Sequence, residues 1–588
     1  MVCVMPSVMR NPSRTSPLWL VTGVLVLFYF LFRLPGMMAL PIFGDEAIYL
    51  VWVDRIREGH LWVSLHDPKP PLHFWLIAAM QFLFQIFNHG VDPLLPARFL
   101  SVLAGAGSIV AVTLLVPAIL ELCPRRNGED SPRVVSMFAA LLLVFCPFAA
   151  FYHRLATADA LFVLQMLLFL WAVARWALSL TGPPSRTFVW AATAGVVLGL
   201  AALTRQNISY VLVGMLPVVL LLAYLQLPVD SSRIKFFETT AWSSLLIIGV
   251  AVVLFLPVLL TGAVETDLRS RILYQSHFTD ESVSRASVAW RNFKLAFVPT
   301  VTERGPETGW LFFYLTGPVY VAAILAWPYL LLRRHERALL FIAAATVLML
   351  GPVIVLGNVI FSRYVLAGAV LLLIPAAMAV ADIGATLFGW ARDRRTPSIV
   401  AWAALLLLLL ALLYPGLAEI SRQNHNWPAQ TLTRRDRYQY ITGWTSGHAP
   451  RQVVEAIKGL AEERPVVVIT SDGWGHPSDT IWAYLQHARN VTVYYTVPGE
   501  GPILKPVAGK PDHYLLRQHK WRFTPAEPCL VAPNARVLYI ANEFLSPQKK
   551  WPLIEQLRPA NGEVAGVPFY GIEGEAAAED RILMVPLR

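Results

Sequence analysis

The sequence predicts a mostly α-helical, polytopic membrane bundle of about eleven spans, with interfacial helices in its outer loops and a C-terminal extracytoplasmic α/β domain. Three observations predict it. The 588-residue chain is 56% hydrophobic and 15% charged, where soluble domains average about 45–50% apolar and about 25% charged; its mean hydropathy is +0.54. The apolar excess is gathered into runs such as VVSMFAALLLVFCPFAAF and IVAWAALLLLLLALLYPGL, and about 18 apolar residues suffice to cross a bilayer. Short basic loops separate these runs, whereas the longer polar segments fall on the other side.

In chain order, the run 18–34 follows Arg10 and Arg14. The segment after it, PGMMALPIFGDE, offers no A-x-A cleavage site, so it reads as an uncleaved first span and not a signal peptide. The run 72–87 is short and carries Gln81, Gln85 and Asn88 on one helical stripe, the pattern of a helix lying in the interface. Further runs are 97–122, 134–151, 161–180, 188–203, 208–227, 240–260, 310–332, 338–359, 364–388 and 399–417. With the second run flat, every basic short loop falls on one side: Arg10 and Arg14; Arg125, Arg126 and Arg133; Arg186; Arg233 and Lys235; Arg333, Arg334 and Arg337; and Arg392, Arg394 and Arg395. That is the positive-inside pattern. A twelve-span arrangement would turn most of these loops outward. The same distribution explains the net charge of +10 without nucleic acid, which is not an expected partner.

The expected division is a membrane domain over 1–418 and a soluble α/β domain over 419–588. In the latter, 465–470, 491–497 and 536–541 read as short buried strands. HAPRQVVEAIKGLAEER has Val453, Val454, Ile457 and Leu460 at helical spacing, and PSDTIWAYLQHA reads as a second helix with Ser478 as N-cap. Neither a G-x-G-x-x-G nor a Walker motif is present. The cysteines, Cys3, Cys123, Cys146 and Cys529, have no metal-ligand spacing, and no disulfide framework is expected.

Carboxylates and arginines gather at one predicted membrane face. FGDEAIYL places Asp45 and Glu46 beyond the first span, and LHDPKPPLHFWL follows with His66, Asp67, Lys69 and His73. YHRLATADALF brings Arg154 and Asp159, LTRQNISY brings Arg205, and FSRYVLAG brings Arg363 and Tyr364. A single loop carboxylate is most often only a solvated cap. Arginines on the outer side, however, run against the positive-inside rule, and a cluster of them beside carboxylates suits a phosphate next to a general base.

An acidic pair in DEA-x-Y after the first span, followed about 25 residues later by KPPL-x-x-W in an amphipathic setting, resembles the C-type integral-membrane glycosyltransferases. The groups it most resembles are the protein O-mannosyltransferases and the bacterial aminoarabinose transferases that modify lipid A. The R-x-x-x-x-D and SRY segments support the likeness, which runs from residue 18 to about 417. The resemblance implies a polyprenyl-phosphate sugar donor, a lipid or protein acceptor, inversion at the anomeric carbon, and a multi-pass protein of the bacterial plasma membrane with its site outside. It makes Asp45 the base or acceptor-orienting acid with Glu46 as its support. Asp159 becomes the second acidic position, and Lys69, Arg154, Arg205, Arg363 and Tyr364 the donor-phosphate group. Members often carry lysine where Arg205 stands. No cofactor is implied with certainty; a divalent cation at His66, His73 or His277 stays open, because ligand number does not follow from scattered positions. Membrane lipids are expected partners. The competing readings are a transporter or lipid flippase, which should show inverted repeats and midplane charges, and a membrane-anchored sensor, which would leave the outer charges without a role.

Overall fold

The computed structural model describes residues 16–66, 69–88, 90–124, 131–205, 211–227, 232–261, 284–333, 335–357, 359–395, 397–470, 475–495, 504–507, 510–518, 527–531, 534–542, 567–569 and 582–586. Its helices are α1 Ser16–Arg33, α2 Gly44–Arg57, α3 Leu72–Phe87, α4 Leu94–Leu122, α5 Pro132–Val144, α6 Pro147–Tyr152, α7 Ala158–Ser179 and α8 Pro184–Ala202. They continue as α9 Met215–Tyr224, α10 Arg233–Leu260, α11 Arg285–Phe297, α12 Trp310–Leu315, α13 Gly317–Leu332, α14 Glu336–Leu356, α15 Leu366–Asp393 and α16 Ser398–His425. Among the described residues seven helices are long and apolar enough to cross a membrane: α4, α7, α8, α10, α14, α16 and the segment Ser362–Asp393 that holds α15. The chain is therefore an integral membrane protein. The other four expected spans fall on α1, α5–α6, α9 and α12–α13, which are shorter or interrupted.

Two interruptions have local causes. Pro147 has no N–H to continue α5, so a new helix starts after Cys146. Gly416 of α16 seats at this break: a Cβ there would lie 2.2 Å from the Phe145 carbonyl oxygen. Gln423 Nε2, on the same helix, donates to the Pro147 carbonyl at 3.3 Å. The run 310–332 breaks at Thr316, whose φ is 74°, with Pro318 opening the next helix.

The polar stripe of α3 is engaged within the protein at Gln81 and Gln85. Gln81 Nε2 donates to the Pro93 carbonyl, and Gln85 Oε1 accepts from Arg57 Nη2. Asn88 ends the helix and takes the Gly90 N–H. The exposed face is instead Phe82, Leu83, Ile86 and Phe87, a surface suited to the acyl boundary of a bilayer.

After α16 come α17 Arg434–Arg437, α18 His448–Glu463 and α19 Ser478–Leu485. The strands are β1 Thr300–Thr302, β2 Gly305–Thr308, β3 Val466–Thr470, β4 Val491–Tyr495, β5 Leu504–Val507, β6 Lys510–Gln518, β7 Glu527–Val531, β8 Arg536–Asn542, β9 Val567–Phe569 and β10 Ile582–Pro586. A five-stranded sheet runs β4-β3-β8-β10-β9, parallel through β4, β3 and β8 and antiparallel beyond. β5, β6 and β7 form a second, antiparallel sheet. Ser478 is the first helical residue and not the cap; Pro477 holds the cap position, and Asp479 Oδ2 accepts the Gly475 N–H.

α2 and α3 bury their apolar residues in this C-terminal part. Ala47, Tyr49, Trp52, Phe74 and Ile77 share one cluster with Val453, Val454, Ile457, Val466, Ile481 and Leu485. Each large side chain so buried stabilises by about 1.5–3 kcal/mol. The segment between α1 and α4 is thus cemented to the C-terminal sheet, and α16 runs past residue 418 to His425 before the chain turns into it.

Candidate active site

The site forms at the end of the bundle that also carries the C-terminal sheet. α2 begins there with Asp45 and Glu46 in its first turn, where the helix dipole favours carboxylates. Adjacent in sequence, the two point into different surroundings.

Glu46 is fully buried against Arg98 of α4. Arg98 Nε lies 3.0 Å from Oε1 and Nη2 lies 2.7 Å from Oε2, with neither side chain exposed. Glu46 also takes the N–H of Phe43 at 2.8 Å and of Ala156 at 2.6 Å. Arg98 in turn donates to the carbonyls of Met37, Leu40 and Pro41. Every lone-pair direction is occupied and no face is open, so Glu46 cannot meet a substrate. The expected support of Asp45 is of a different kind: Glu46 and Arg98 clamp the loop that presents it.

Asp45 is a quarter exposed and bonds Arg363 Nη1 at 2.7 Å. Burial pushes its carboxyl up, but the Arg363 guanidinium, Lys69 and His476 outweigh that and hold it below the usual carboxylate range. It is an anion at neutral pH. Asp159, in the first turn of α7, bonds Arg205 Nη1 at 2.5 Å. The ring of Tyr364 lies between the two arginines, 5.2 Å from Arg205 Cζ and 5.5 Å from Arg363 Cζ. On its other flank Arg363 stands 5.4 Å from the Phe361 ring, and Arg435 of α17 stands 4.8 Å from that same ring. Three guanidiniums thus alternate with two aromatic rings, drawn from three regions distant in sequence.

Lys69 reaches this group over α2, with Nζ 5.2 Å from the Tyr49 ring and 5.1 Å from the Trp52 ring. Its backbone is fixed by Ser64, whose carbonyl accepts the Lys69 N–H while its Oγ donates to the Lys69 carbonyl. Among the described residues, four cations, Lys69, Arg205, Arg363 and Arg435, gather around Asp45, which is a quarter exposed, and the buried Asp159. A cluster of cations of this kind suits an anionic ligand.

Arg154 stands apart from this group. It is buried and donates to Asn424 Oδ1 at 2.6 Å, Gln423 Oε1 at 2.7 Å and the Ala150 carbonyl at 3.0 Å. Its guanidinium ties α6 to α16, and the expected contact with a phosphate is not available to it. His73 is also sealed: Nε2 lies 3.2 Å from the Ala156 carbonyl, and burial pushes its imidazole down to about 4. Among the described residues no three His, Cys, Asp or Glu side chains gather as a metal site. The side chain of His66, and all of Asp67 and His277, lie outside the described residues.

The segment 440–448 closes the site from the C-terminal side. Thr445 O accepts the Gly44 N–H at 3.1 Å, and Tyr440 packs on Phe43 with ring centroids 4.8 Å apart. Gly447 has φ 79°, and a Cβ there would fall 1.9 Å from the Ile42 carbonyl oxygen, so only glycine permits the approach. Behind Arg363 lies a polar network in which Asp436 accepts from Tyr314 Oη and Thr433 Oγ1, and Tyr152 Oη meets Ser362 Oγ at 2.6 Å. Burial raises the Asp436 carboxyl above its ordinary value despite these donors. Arg98, Arg435 and Asp436 had escaped notice in the sequence. Arg98 and Arg435 carry the same signal as the others, arginine on the side that the charge pattern predicts to be the outer one.

No protein-family model matches the chain, and no curated protein matches it by sequence. Solved structures do. ArnT from Cupriavidus metallidurans, bound to undecaprenyl phosphate, matches over 96% of this chain and 97% of its own at 13% identity, with a TM-score of 0.56. An oligosaccharyltransferase from Archaeoglobus fulgidus matches over 82% of this chain at 13% identity and TM-score 0.48, and the present chain spans 64% of its length. The Pmt1-Pmt2 protein O-mannosyltransferase complex of Saccharomyces cerevisiae matches over 42% of this chain and 33% of its own, at 16% identity and TM-score 0.34. The fold expected from the first outer loop is thus met: the chain is similar in fold to ArnT, the aminoarabinose transferase, over nearly the full length of both.

Proposed function

We propose that the protein is a glycosyltransferase that moves a sugar from a polyprenyl-phosphate donor to a lipid or protein acceptor at the outer face of a bacterial plasma membrane. The observation that carries this reading is the alternation of Arg205, Tyr364, Arg363, Phe361 and Arg435 beside Asp45 and Asp159. The likeness in fold to ArnT, whose structure holds undecaprenyl phosphate, supports the donor class.

In this reading Asp45 takes the proton of the acceptor hydroxyl, whose oxygen attacks the anomeric carbon while the bond to the lipid phosphate breaks. The electron pair of that bond leaves on the phosphate oxygen, and one displacement inverts the anomeric centre. Arg363 and Arg205, with Lys69 and Arg435 near, meet the charge that develops on the leaving phosphate. Asp159 orients Arg205. Arg363 is shared between base and phosphate, so donor arrival loosens its hold on Asp45 and raises the basicity of that carboxylate when the acceptor needs it. No specific observation favours a transporter: the ionisable groups of the site lie at helix ends and outer loops.

The test is incubation of the purified protein with a panel of polyprenyl-phosphate sugars, following release of the lipid phosphate. Release that depends on both a sugar donor and an acceptor is expected. No release from any donor, with the protein folded and acceptors varied, would overturn the reading.

A further inference from the structure

At the end of the bundle opposite the site, a groove of about 300 Å³ opens between α1, α4, α5, α7 and α8. Its walls are Leu18, Leu114, Pro117, Ala118 and Trp171, and at its mouth stand Arg133 and Arg175. Trp171 and Trp190 meet edge to face at 5.1 Å, and Arg175 Cζ lies 5.7 Å from the Trp190 ring. Trp19, about half exposed, completes a set of three indoles at one level. Indoles gather where the acyl region of a bilayer meets its headgroups.

We infer that this groove binds an anionic glycerophospholipid of the leaflet opposite the candidate site. Arg133 is exposed at the start of α5. Arg175 is a quarter exposed and shared with Glu121 Oε2 at 3.0 Å. Among the described residues, two cations stand against one carboxylate at the mouth, a balance that suits a phosphodiester. Leu18, Leu114, Pro117 and Ala118 give the wall an apolar surface for an acyl chain to lie against. The occupant is thus held by charge at its head and by apolar contact along its tail. Lipid binding here depends on the membrane position of the helices and not on the transfer reaction.

The full chain, purified in mild detergent and stripped of lipid, is offered equal phosphatidylglycerol and phosphatidylcholine, and retained lipid is counted by native mass spectrometry. Wild type is expected to keep phosphatidylglycerol in preference. Arg133→Ala should weaken retention about fivefold, the weight of one basic residue near an anionic surface, and Arg133→Glu more. Arg175→Gln gives a second reading on the same groove. Equal retention of both lipids by wild type overturns the inference, as does a preference unchanged in both the Arg133→Glu and Arg175→Gln variants. Displacement by inorganic phosphate alone, or stronger retention of undecaprenyl phosphate, overturns it too. Transfer by the Arg133→Glu variant at saturating donor should equal wild type, so a failure here is separable from a failure of the proposed reaction.

Discussion

Replacing Asp45 by asparagine removes one proton acceptor and little else. The carboxylate is a quarter exposed, with Arg363 at 2.7 Å. An asparagine oxygen can accept the same N–H, so the geometry survives. What is lost is the charge assistance of one hydrogen bond, a change from about 1.5–3 kcal/mol to about 0.5–1.5 kcal/mol, or roughly 1 kcal/mol of stability. Partial exposure reduces this further. Catalysis should fall far more, because a positioned base contributes about 10²-fold or more, equal to at least about 2.7 kcal/mol of barrier. The two effects separate in one experiment: thermal unfolding in detergent and release of polyprenyl phosphate, measured on the same preparation. The melting temperature should move little while the rate drops about a hundredfold. The pH profile gives an independent check. The Arg363 guanidinium and Lys69 hold the carboxyl below its ordinary value, so the base form persists as pH falls past about 4, the range where a free aspartate would protonate. Any stability from the pair is likewise present at higher pH and lost only as pH drops through that lowered value. Transfer by the Asn variant at near the wild-type rate would refute the role of Asp45, as would a wild-type acid limb of kcat/KM, the profile that reports the free enzyme, centred near pH 6.

Three further perturbations test the surroundings. Glu46→Gln should destabilise by about 3–5 kcal/mol, because it leaves Arg98 buried without its counter-charge; the check is yield and melting temperature, and a folded variant with selective loss of transfer would instead restore Glu46 to the chemistry. Lys69→Ala should raise the KM for the donor well above that for the acceptor, since the ammonium lies at the rim of the cationic group over Tyr49 and Trp52; unchanged donor dependence with normal insertion would leave Lys69 only an anchor. His487, whose imidazole is raised by its bond to Asp54 at 2.9 Å, should stabilise at acidic pH, below about 6.5, and lose that contribution as pH rises through its raised value. Because His487 is largely exposed, the effect is small, near the low end of about 0.2–1 kcal/mol, and His487→Gln should lower the melting temperature at pH 5.5 but not at pH 8.5.

Much of the molecule was determined locally and so was legible in the sequence. Long apolar runs must become helices in a bilayer, because an unbonded peptide group there costs several kcal/mol; hence α4, α7, α10 and α15 appear near where hydropathy placed them. β3, β4 and β8 followed from short apolar runs bounded by polar chain. The arginines were visible because they run against the positive-inside pattern, and the carboxylates by their company; Asp45, Asp159, Arg205, Arg363 and Tyr364 do lie together. Tertiary structure decided their division of labour. Asp45 and Glu46 share a sequence environment, yet successive helical positions turn about 100° apart, and one faces Arg363 while the other meets Arg98 in a sealed space. Arg154 looks like Arg205 in the sequence, but Gln423 and Asn424, some 270 positions away, take its donors. Arg435 joins Arg363 only because Phe361 stands between them. Local pattern sets which residues are polar and which helix they start; which partner each one meets depends on the packing of helices far apart in the chain, and no spacing along a single segment encodes that.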